Sequence, residues 1–302
     1  MKHLLKLLDL SKDEIFEILE LADELKRKQK AGVEHHYLKG KSLGMIFQKS
    51  STRTRVSFEV GMYQLGGQAL FLSKNDLQIG RGEPVQDTAR TLSRFLDGIM
   101  IRTYGQDEVE NLAKYGSIPI INGLTDFAHP CQVLADLQTI REHKGGFDGR
   151  KLTFIGDGAN NMANSLIVGC LKAGMDVAIA TPDAYQPDKS VLDFAESYGS
   201  KLLVTSDIAK AAKDADVLYT DVWASMGMEA EVEERNRAFK DFQINAEVMK
   251  YAKPDAMVQH CLTAKRGQEI TDEVLEAHAN EIFDEAENRL HAQKAVMVKL
   301  MA

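Results

Sequence analysis

Short apolar runs that alternate with amphipathic helical stretches constrain the fold of this chain most. Ten runs have the length and character of strands, at residues 42–47, 68–72, 97–102, 117–121, 152–156, 176–180, 201–204, 216–220, 256–260 and 281–283. Amphipathic stretches separate most of them, for example at residues 108–115, 132–143, 163–173, 190–199 and 272–279. This alternation is typical of parallel sheets that carry helices on both faces. The pattern therefore predicts an α/β protein.

The number of strand candidates indicates two sheets rather than one. A single sheet of ten strands is unusual in a chain of 302 residues, which is long enough for two domains of ordinary size. A polar, glycine-rich stretch at residues 142–146 marks a natural boundary between them. At the start of the chain, Ser11 and Glu14 have the spacing of a capping box, so we expect a first amphipathic helix there.

Composition and charge exclude several classes of protein. The net charge of −8 argues against a general binder of nucleic acid or anionic membranes. Three cysteines, Cys131, Cys170 and Cys261, are an odd and low number that fits a reducing cytoplasm better than a disulfide framework. Lys6 and Asp9 interrupt the apolar N-terminus, and no apolar run approaches the roughly 20 residues of a membrane span. We therefore expect a soluble cytoplasmic protein.

The segment Ser51-Thr52-Arg53-Thr54-Arg55 lies between the strand candidate 42–47 and a helical pattern that ends at Gly66-Gly67. The first N–H groups of a helix and its dipole attract anions. Thr52 and Thr54 add hydroxyl donors, and the planar guanidinium of Arg53 matches two phosphate oxygens. The alternative is a capped surface helix with solvated arginines, but two arginines beside an N-cap oppose the dipole unless an anion is bound. The segment therefore predicts a phosphate site.

Other chemically useful side chains follow strand candidates. Ligands of open parallel sheets bind beyond the carboxyl ends of the strands, so residues in this position are expected to share a cleft. The residues that occupy it are Arg102, His129, Asp157, Asp221 and the pair His260-Cys261.

Three of these segments indicate particular chemistry. His129 and Gln132 lie three residues apart at a helix start. There His129 could donate to a developing oxyanion and Gln132 could accept from an amide. The alternative is that His129 is an ordinary surface histidine. Asn161 replaces the third glycine of a dinucleotide-binding loop, and an Asn pair at a helix start suits a carboxylate. Asp221 would accept from an ammonium group, unless it simply ends a strand before a core Trp223.

Taken together, the motifs resemble the aspartate/ornithine carbamoyltransferase family. Residues 47–59 look like its carbamoyl-phosphate signature, and 129–132 like its His-Pro-x-Gln motif, with Cys131 at x as a packing residue. Residues 221–227 are similar to the Asp-x-Trp-x-Ser-Met-Gly loop of its ornithine branch. Residues 260–262 resemble its His-Cys-Leu motif, and 286–291 its Ala-Glu-Asn-Arg-x-His segment. The resemblance covers the whole chain, with the motifs in order.

The resemblance implies a fold and an activity. It implies two domains, each a parallel sheet with helices on both faces: a carbamoyl-phosphate domain at 1–140, completed by a C-terminal helix at 286–302, and an ornithine domain at 141–285. The activity would be transfer of the carbamoyl group from carbamoyl phosphate to the δ-amine of L-ornithine, which gives L-citrulline in arginine metabolism. No cofactor and no metal are expected, since no Cys/His cluster has metal-ligand spacing. A homo-oligomer is expected, a trimer or a multiple of trimers.

The resemblance also implies roles for individual residues. The catalytic group comprises Arg102, His129, Cys261 and Arg289. Carbamoyl phosphate would be bound by Ser51, Thr52, Arg53, Thr54, Gln78, Arg102, His129, Gln132, Cys261, Leu262 and Arg289, with Gln78 reaching the site of a neighbouring subunit. Ornithine would be bound by Asn161, Asp221, Ser225 and Met226.

One position departs from the family pattern. Thr263 replaces a proline whose peptide bond with the preceding leucine is cis in the family, and the sequence leaves the geometry of Leu262–Thr263 open.

Three alternative functions also stay open. A carbamoyltransferase for another amine, such as putrescine, would have no carboxylate for Asn161. A non-catalytic binding protein on the same fold is motivated by Thr263, and a nicotinamide-dependent dehydrogenase is disfavoured by Asn161.

Overall fold

The chain forms two compact units, each built on a parallel sheet. The computed structural model describes residues 1–75, 77–199 and 201–302. Unit 1 comprises Met1–Gln138 and Glu287–Ala302, and unit 2 comprises Thr139–Ala286.

Unit 1 contains a four-stranded sheet in the order β2-β1-β3-β4, with all neighbours parallel. Its strands are β1 Ser42–Phe47, β2 Gln68–Ser73, β3 Gly98–Arg102 and β4 Ile120–Leu124. Its helices are α1 Lys12–Lys30, α2 Thr52–Gln64, α3 Val85–Leu92 and α4 Gln106–Tyr115, followed by the start of α5 Pro130–Lys144. Short 3₁₀ segments lie at Leu7–Asp9 and Gln78–Arg81. All five residues of β3 are buried, as expected for a central parallel strand.

The first helix begins where the sequence predicts. Ser11 Oγ accepts a hydrogen bond from the Glu14 N–H at 3.1 Å, and Glu14 Oε2 accepts one from the Ser11 N–H at 2.8 Å. This reciprocal capping box satisfies two backbone donors that the helix itself leaves unpaired. Ile15, Ile18 and Leu19 follow at helical spacing and are fully buried, so the apolar face of α1 packs into the core.

Unit 2 contains a five-stranded parallel sheet in the order β7-β6-β5-β8-β9. Its strands are β5 Lys151–Ile155, β6 Asp176–Ala180, β7 Leu202–Thr205, β8 Val217–Thr220 and β9 Met257–His260. Its helices are α6 Asn161–Ala173, α7 Lys189–Tyr198, α8 Ile208–Ala212, α9 Val232–Phe239, α10 Ala246–Met249 and α11 Asp272–Ala277, and α12 Ala279–Met301 begins here and ends in unit 1. A 3₁₀ segment lies at Glu229–Glu231.

A buried carboxylate joins the amino ends of two strands of this sheet. Asp216 precedes β8, is fully buried, and accepts hydrogen bonds at 2.9 Å from Arg150 Nη1, from Lys253 Nζ and from the Lys151 N–H. Burial raises the pKa of Asp216, but the hydrogen bonds from Lys253, Arg150 and the Lys151 N–H outweigh it and hold that pKa below its ordinary value. The carboxylate therefore stays charged and satisfied at the end of the sheet opposite the candidate site.

The predicted fold class is confirmed: two parallel sheets flanked by helices are present. Nine of the ten strand candidates overlap strands of the described residues. The tenth, 281–283, is wrong, because these residues lie inside α12. The buried side chains of Ile282, Glu285 and Arg289 recur at helical spacing there. The short apolar run is therefore one buried turn of a helix and not a strand. The candidate 117–121 is displaced, since β4 begins after Pro119, which has no N–H for the ladder.

No helix among the residues described is long and apolar enough to cross a membrane.

Candidate functional site

Each sheet places predicted site residues at the point where its strand order reverses. In unit 1 this point lies between β1 and β3, and in unit 2 between β5 and β8. Loops that leave neighbouring parallel strands in opposite directions open a crevice there, which is where such sheets bind ligands. Ser51 follows β1 and Arg102 ends β3; Asp157 follows β5 and Asp221 follows β8.

The predicted strand–turn–helix arrangement at Ser51–Arg55 is present. Ser51 is the N-cap of α2, and its Oγ accepts from the Thr54 N–H at 3.1 Å. The positive end of the α2 dipole therefore lies at Ser51–Arg53. Arg53 is half-buried, whereas Arg55 is turned elsewhere: its Nε donates to Glu59 Oε1 at 3.1 Å and its guanidinium lies 3.8 Å from the centroid of the Phe71 ring.

His129 lies within the electrostatic reach of three arginines. Burial lowers the pKa of His129 well below its ordinary value, and the positive charges of Arg289, Arg102 and Arg53 lower it further. The imidazole is therefore neutral at pH 7 and offers one N–H as a donor. Three guanidinium groups around a buried neutral histidine, beside a helix N-terminus, form a region of strong positive potential that an anion would neutralise.

Arg289 is held by a network that includes two other predicted residues. Its Nη1 donates to Gln132 Oε1 at 2.7 Å, and its Nη2 donates to Thr54 Oγ1 at 3.3 Å. Its Nε donates to Gln293 Oε1 at 3.0 Å, and Gln293 in turn donates to Ser57 Oγ at 2.6 Å. The structure thus brings Thr54, Gln132 and Arg289 together within unit 1, although they are far apart in the sequence.

Two further residues of unit 1 that the sequence analysis named differ in exposure. Gln78 is exposed at the start of the 3₁₀ segment Gln78–Arg81. Cys131 is fully buried, and its Sγ donates to the Asn122 carbonyl at 3.4 Å. Burial raises the pKa of the Cys131 thiol to about 12, so it is not a thiolate at pH 7. This agrees with a packing role for Cys131.

In unit 2, Asp221 and Cys261 are in direct contact. Cys261 Sγ donates to Asp221 Oδ1 at 3.1 Å, and the Val222 N–H donates to the same oxygen at 2.8 Å. Asp221 is buried, with 8% of the residue exposed, and this burial raises the pKa of its carboxyl. Neighbouring His260 and Cys261 offset only part of that rise. A cationic partner would therefore stabilise the charged form of this buried carboxylate.

His260 holds the backbone of the Cys261–Leu262 segment. Its Nδ1 accepts from the Leu262 N–H at 2.9 Å, so the ring proton is on Nε2, which lies 3.0 Å from Glu269 Oε1. The ligand atoms of Asp221, His260 and Cys261 lie within 4.8 Å of one another, a grouping with the residue types of a zinc site that the sequence spacing did not predict. Both ring nitrogens of His260 are engaged, so a cation there would have to displace either the Leu262 N–H or Glu269.

The remaining predicted residues of unit 2 lie at loop positions around Asp221. Asn161 is the first residue of α6, whose N-cap is Asn160. Ser225 is half-buried in a turn closed by a hydrogen bond from the Met228 N–H to its carbonyl at 3.1 Å, and Met226 is 44% exposed. The Leu262–Thr263 peptide bond, which the sequence left open, is cis.

Sequence reasoning missed several residues that contact the predicted ones, and two of them are charged residues of unit 2. Arg235 in α9 donates to Asp157 and to the Trp223 carbonyl, and Glu269 accepts from His260. Nothing in the local sequence distinguishes them, since each looks like an ordinary surface charge. Only the tertiary arrangement shows that they are buried.

Comparison with known proteins agrees with this geometry. A sequence profile described as "Aspartate/ornithine carbamoyltransferase, carbamoyl-P binding domain" matches residues 2–142, and one described as "Aspartate/ornithine carbamoyltransferase, Asp/Orn binding domain" matches residues 148–300. The chain belongs to the aspartate/ornithine carbamoyltransferase family. The two profiles of this carbamoyltransferase family together cover nearly the whole chain, in the order in which the two sheets occur.

Individual members of the aspartate/ornithine carbamoyltransferase family are similar over their full length. The ornithine carbamoyltransferase of Oceanobacillus iheyensis is 56% identical over 305 residues, covering 100% of this chain and 94% of that protein. The solved structure of ornithine carbamoyltransferase from Pyrococcus furiosus has a TM-score of 0.94 at 53% identity, covering 99% and 97% of the two chains. That of anabolic ornithine carbamoyltransferase from Campylobacter jejuni has a TM-score of 0.94 at 42% identity, covering 99% of each.

Proposed function

We propose that the protein is an ornithine carbamoyltransferase, which transfers the carbamoyl group of carbamoyl phosphate to the δ-amine of L-ornithine and releases L-citrulline and phosphate. The observation that carries the donor half of this proposal is the pair of hydrogen bonds from Arg289 to Gln132 and Thr54 at the start of α2. The charges of Arg289, Arg102 and Arg53 all lower the pKa of the buried His129, which supports it. The full-length relatives that bear the name ornithine carbamoyltransferase support the acceptor half.

The donor is assigned to unit 1. Ser51, Thr52, Arg53, Thr54 and Arg102 bind the phosphate and stabilise its charge as it leaves, which is the role that guanidinium groups and a helix N-terminus suit. His129 and Arg289 polarise the carbamoyl carbonyl as negative charge develops on its oxygen. The Gln132 amide oxygen accepts from the carbamoyl NH₂; it has two lone pairs, so accepting from Arg289 leaves it this capacity.

The acceptor is assigned to unit 2. Asn161 faces the substrate carboxylate from the start of α6, while Asp221, Ser225 and Met226 hold the α-amino end. Putrescine has no carboxylate to match Asn161, which is why ornithine is the preferred acceptor. In domain terms, residues 1–140 with 286–302 would bind carbamoyl phosphate and 141–285 would bind ornithine.

The attacking amine must lose a proton. An alkyl ammonium with a pKa near 10.4 is neutral about once in 2,500 molecules at pH 7, which costs about 4.6 kcal/mol. Cys261 Sγ donates to Asp221 Oδ1 within unit 2, and we assign to this pair the task of holding or accepting the proton. Phosphate oxygens of the substrate are a second acceptor. The Leu262 carbonyl would orient the carbamoyl NH₂.

A product assay tests the proposal. The purified protein with carbamoyl phosphate and L-ornithine is expected to form citrulline and phosphate in equal amounts, measured by chromatography and by phosphate release. Putrescine should give a far smaller rate, since nothing in it pairs with Asn161. Faster product formation from putrescine would overturn the choice of acceptor, and no transfer to either amine would leave the alternative of a non-catalytic binding protein.

We further propose a homo-oligomer, a trimer or a multiple of trimers, that works in arginine metabolism in the cytoplasm. Exposed apolar side chains support association: Val56, Val60 and Tyr63 on α2 and Leu70 and Phe71 on the edge strand β2 are all at least 36% exposed. A second copy of the chain would cover part of this apolar surface. The exposed Gln78 would then reach carbamoyl phosphate in a neighbouring site.

Mixing two inactive variants tests the shared site. Arg53→Ala and Gln78→Ala subunits are each expected to lose activity alone. After they are dissociated and reassembled together, part of the activity should return, because some interfaces then combine an intact Arg53 with the partner subunit's Gln78. Separately reassembled single variants are the control. If reassembled mixtures stay as inactive as the single variants, Gln78 does not serve a neighbouring subunit.

A further inference from the structure

Two loops of unit 2 that are assigned to the acceptor amine leave different strands. The first runs from Gly156 to the start of α6 at Asn161, and the second runs from Asp221 to Gly227. Loops of this kind are mobile unless side chains hold them. Both must keep their positions if one amino acid is to contact Asn161 and Asp221 at the same time.

Asp157 organises the first loop. Its Oδ1 accepts from the Ala159 N–H at 2.9 Å, which closes a turn inside the loop. Its Oδ2 is left for a partner outside the loop, and the side chain is only 3% exposed. A carboxylate so buried needs a partner of opposite charge.

Arg235, on α9, is that partner. One nitrogen, Nη1, donates to Asp157 Oδ2 at 2.6 Å and also to the Trp223 carbonyl at 3.1 Å. The first acceptor belongs to the first loop and the second to the loop that carries Asp221. A single guanidinium nitrogen therefore links the two loops directly.

The guanidinium itself is held firmly. Its Nε donates to Glu231 Oε2 at 2.8 Å, and its Cζ lies 5.3 Å from the centroid of the Tyr185 ring, which packs on Phe239 at 4.6 Å between centroids. The side chain is 9% exposed. Contacts on several sides leave the Arg235 side chain little conformational freedom, so its guanidinium group stays in one position.

We propose that Arg235 is a positioning residue for the acceptor amine: it fixes the Asp157–Asn161 loop against the Asp221–Gly227 loop so that both can engage the same amino acid. This role rests on the proposed function, and it assigns Arg235 no contact with either substrate. It predicts that loss of Arg235 weakens ornithine binding selectively and leaves carbamoyl phosphate binding intact.

The principal variant is Arg235→Met, which keeps the aliphatic length and removes every donor. KM for ornithine is expected to rise roughly tenfold or more, because small displacements of positioning groups are costly. The affinity for carbamoyl phosphate, measured by calorimetry on the enzyme without ornithine, should stay within about twofold of the wild type. Arg235→Lys should recover part of the ornithine affinity. Arg237→Met, at an exposed position of the same helix, is the matched control and should resemble the wild type.

A second measurement does not depend on the activity. Trp223 is the only tryptophan and is 6% exposed, so quenching of its fluorescence by acrylamide reports on the second loop. Quenching should increase in Arg235→Met and not in Arg237→Met. This readout remains valid even if the wild type makes no citrulline, so failure of the proposed function and failure of the positioning role are distinguishable.

Arg235→Met leaves a buried carboxylate unpaired and could lower Tm severely. The double variant Asp157→Asn/Arg235→Met removes both charges, so its Tm should recover while KM for ornithine stays raised, because the link between the loops is still missing. The positioning role is overturned if ornithine affinity recovers together with Tm, if ornithine KM in folded Arg235→Met stays within about twofold of the wild type, or if affinity for both substrates falls equally.

Discussion

Arg53→Ala is expected to lower kcat/KM for carbamoyl phosphate by roughly 10³-fold, which is the scale of losing a guanidinium that stabilises a transferring phosphoryl or acyl group. The physical reason is that Arg53 lies at the positive end of α2 and is one of three cations around His129. Steady-state kinetics with saturating ornithine measure the effect.

A second readout follows from the same geometry. Removing one positive charge near His129 makes protonation of the imidazole easier, so the pKa of His129 should rise in Arg53→Ala, as followed by NMR titration. Arg55→Ala is the matched control, since Arg55 pairs with Glu59 and lies over Phe71; kcat/KM should change by no more than about threefold. Near-normal kinetics in folded Arg53→Ala would exclude Arg53 from the phosphate site.

Asp221→Asn is expected to lower kcat/KM for ornithine by roughly 10²- to 10³-fold, because a buried charge that pairs with the substrate ammonium is lost. The pH profile should change as well. Burial raises the pKa of Asp221, so in the wild type the carboxylate takes up a proton as the pH falls through that raised value, and activity falls with it. The residual activity of Asp221→Asn should lack this acid limb.

The control is the same substitution, Asp to Asn, at a position away from the acceptor site. Asp255 is exposed and paired with Lys144, so Asp255→Asn should leave kcat/KM within about twofold and the acid limb in place. An unchanged acid limb in Asp221→Asn would show that another group controls it. Equal ornithine affinity in Asp221→Asn and wild type would remove Asp221 from the acceptor site.

The fold was predictable because its periodic patterns are strong. Alternating apolar runs and amphipathic stretches predicted both parallel sheets, and the Ser11–Glu14 spacing predicted the start of α1. The run at 281–283 failed because a short apolar run does not distinguish a strand from a buried helical turn. Periodicity also could not place the two breaks between the units, which fall inside α5 and α12.

The candidate site was predictable only in part. The residues in contiguous motifs, such as Ser51–Thr54 and the segment that begins at His129, were recognisable by spacing and chemistry. The supporting residues were not, because Arg235 is 78 positions from Asp157 and Glu269 bonds to a histidine nine positions away through a turn. Local sequence does not encode which surface-like charges become buried, since that depends on packing of elements distant in the chain.

Most of the donor and acceptor assignments follow the division of the chain into units, and Leu262 is an exception. The residues assigned to the phosphate and the carbonyl oxygen lie in unit 1, and those assigned to the acceptor amine lie in unit 2. A descendant of this chain could therefore exchange its acceptor for a different amine by substitutions in one contiguous gene segment, while the phosphate-binding residues of unit 1 stay unchanged. Recombination at the segment ends would transplant acceptor preference in a single event, so diversification in this lineage need not proceed one residue at a time.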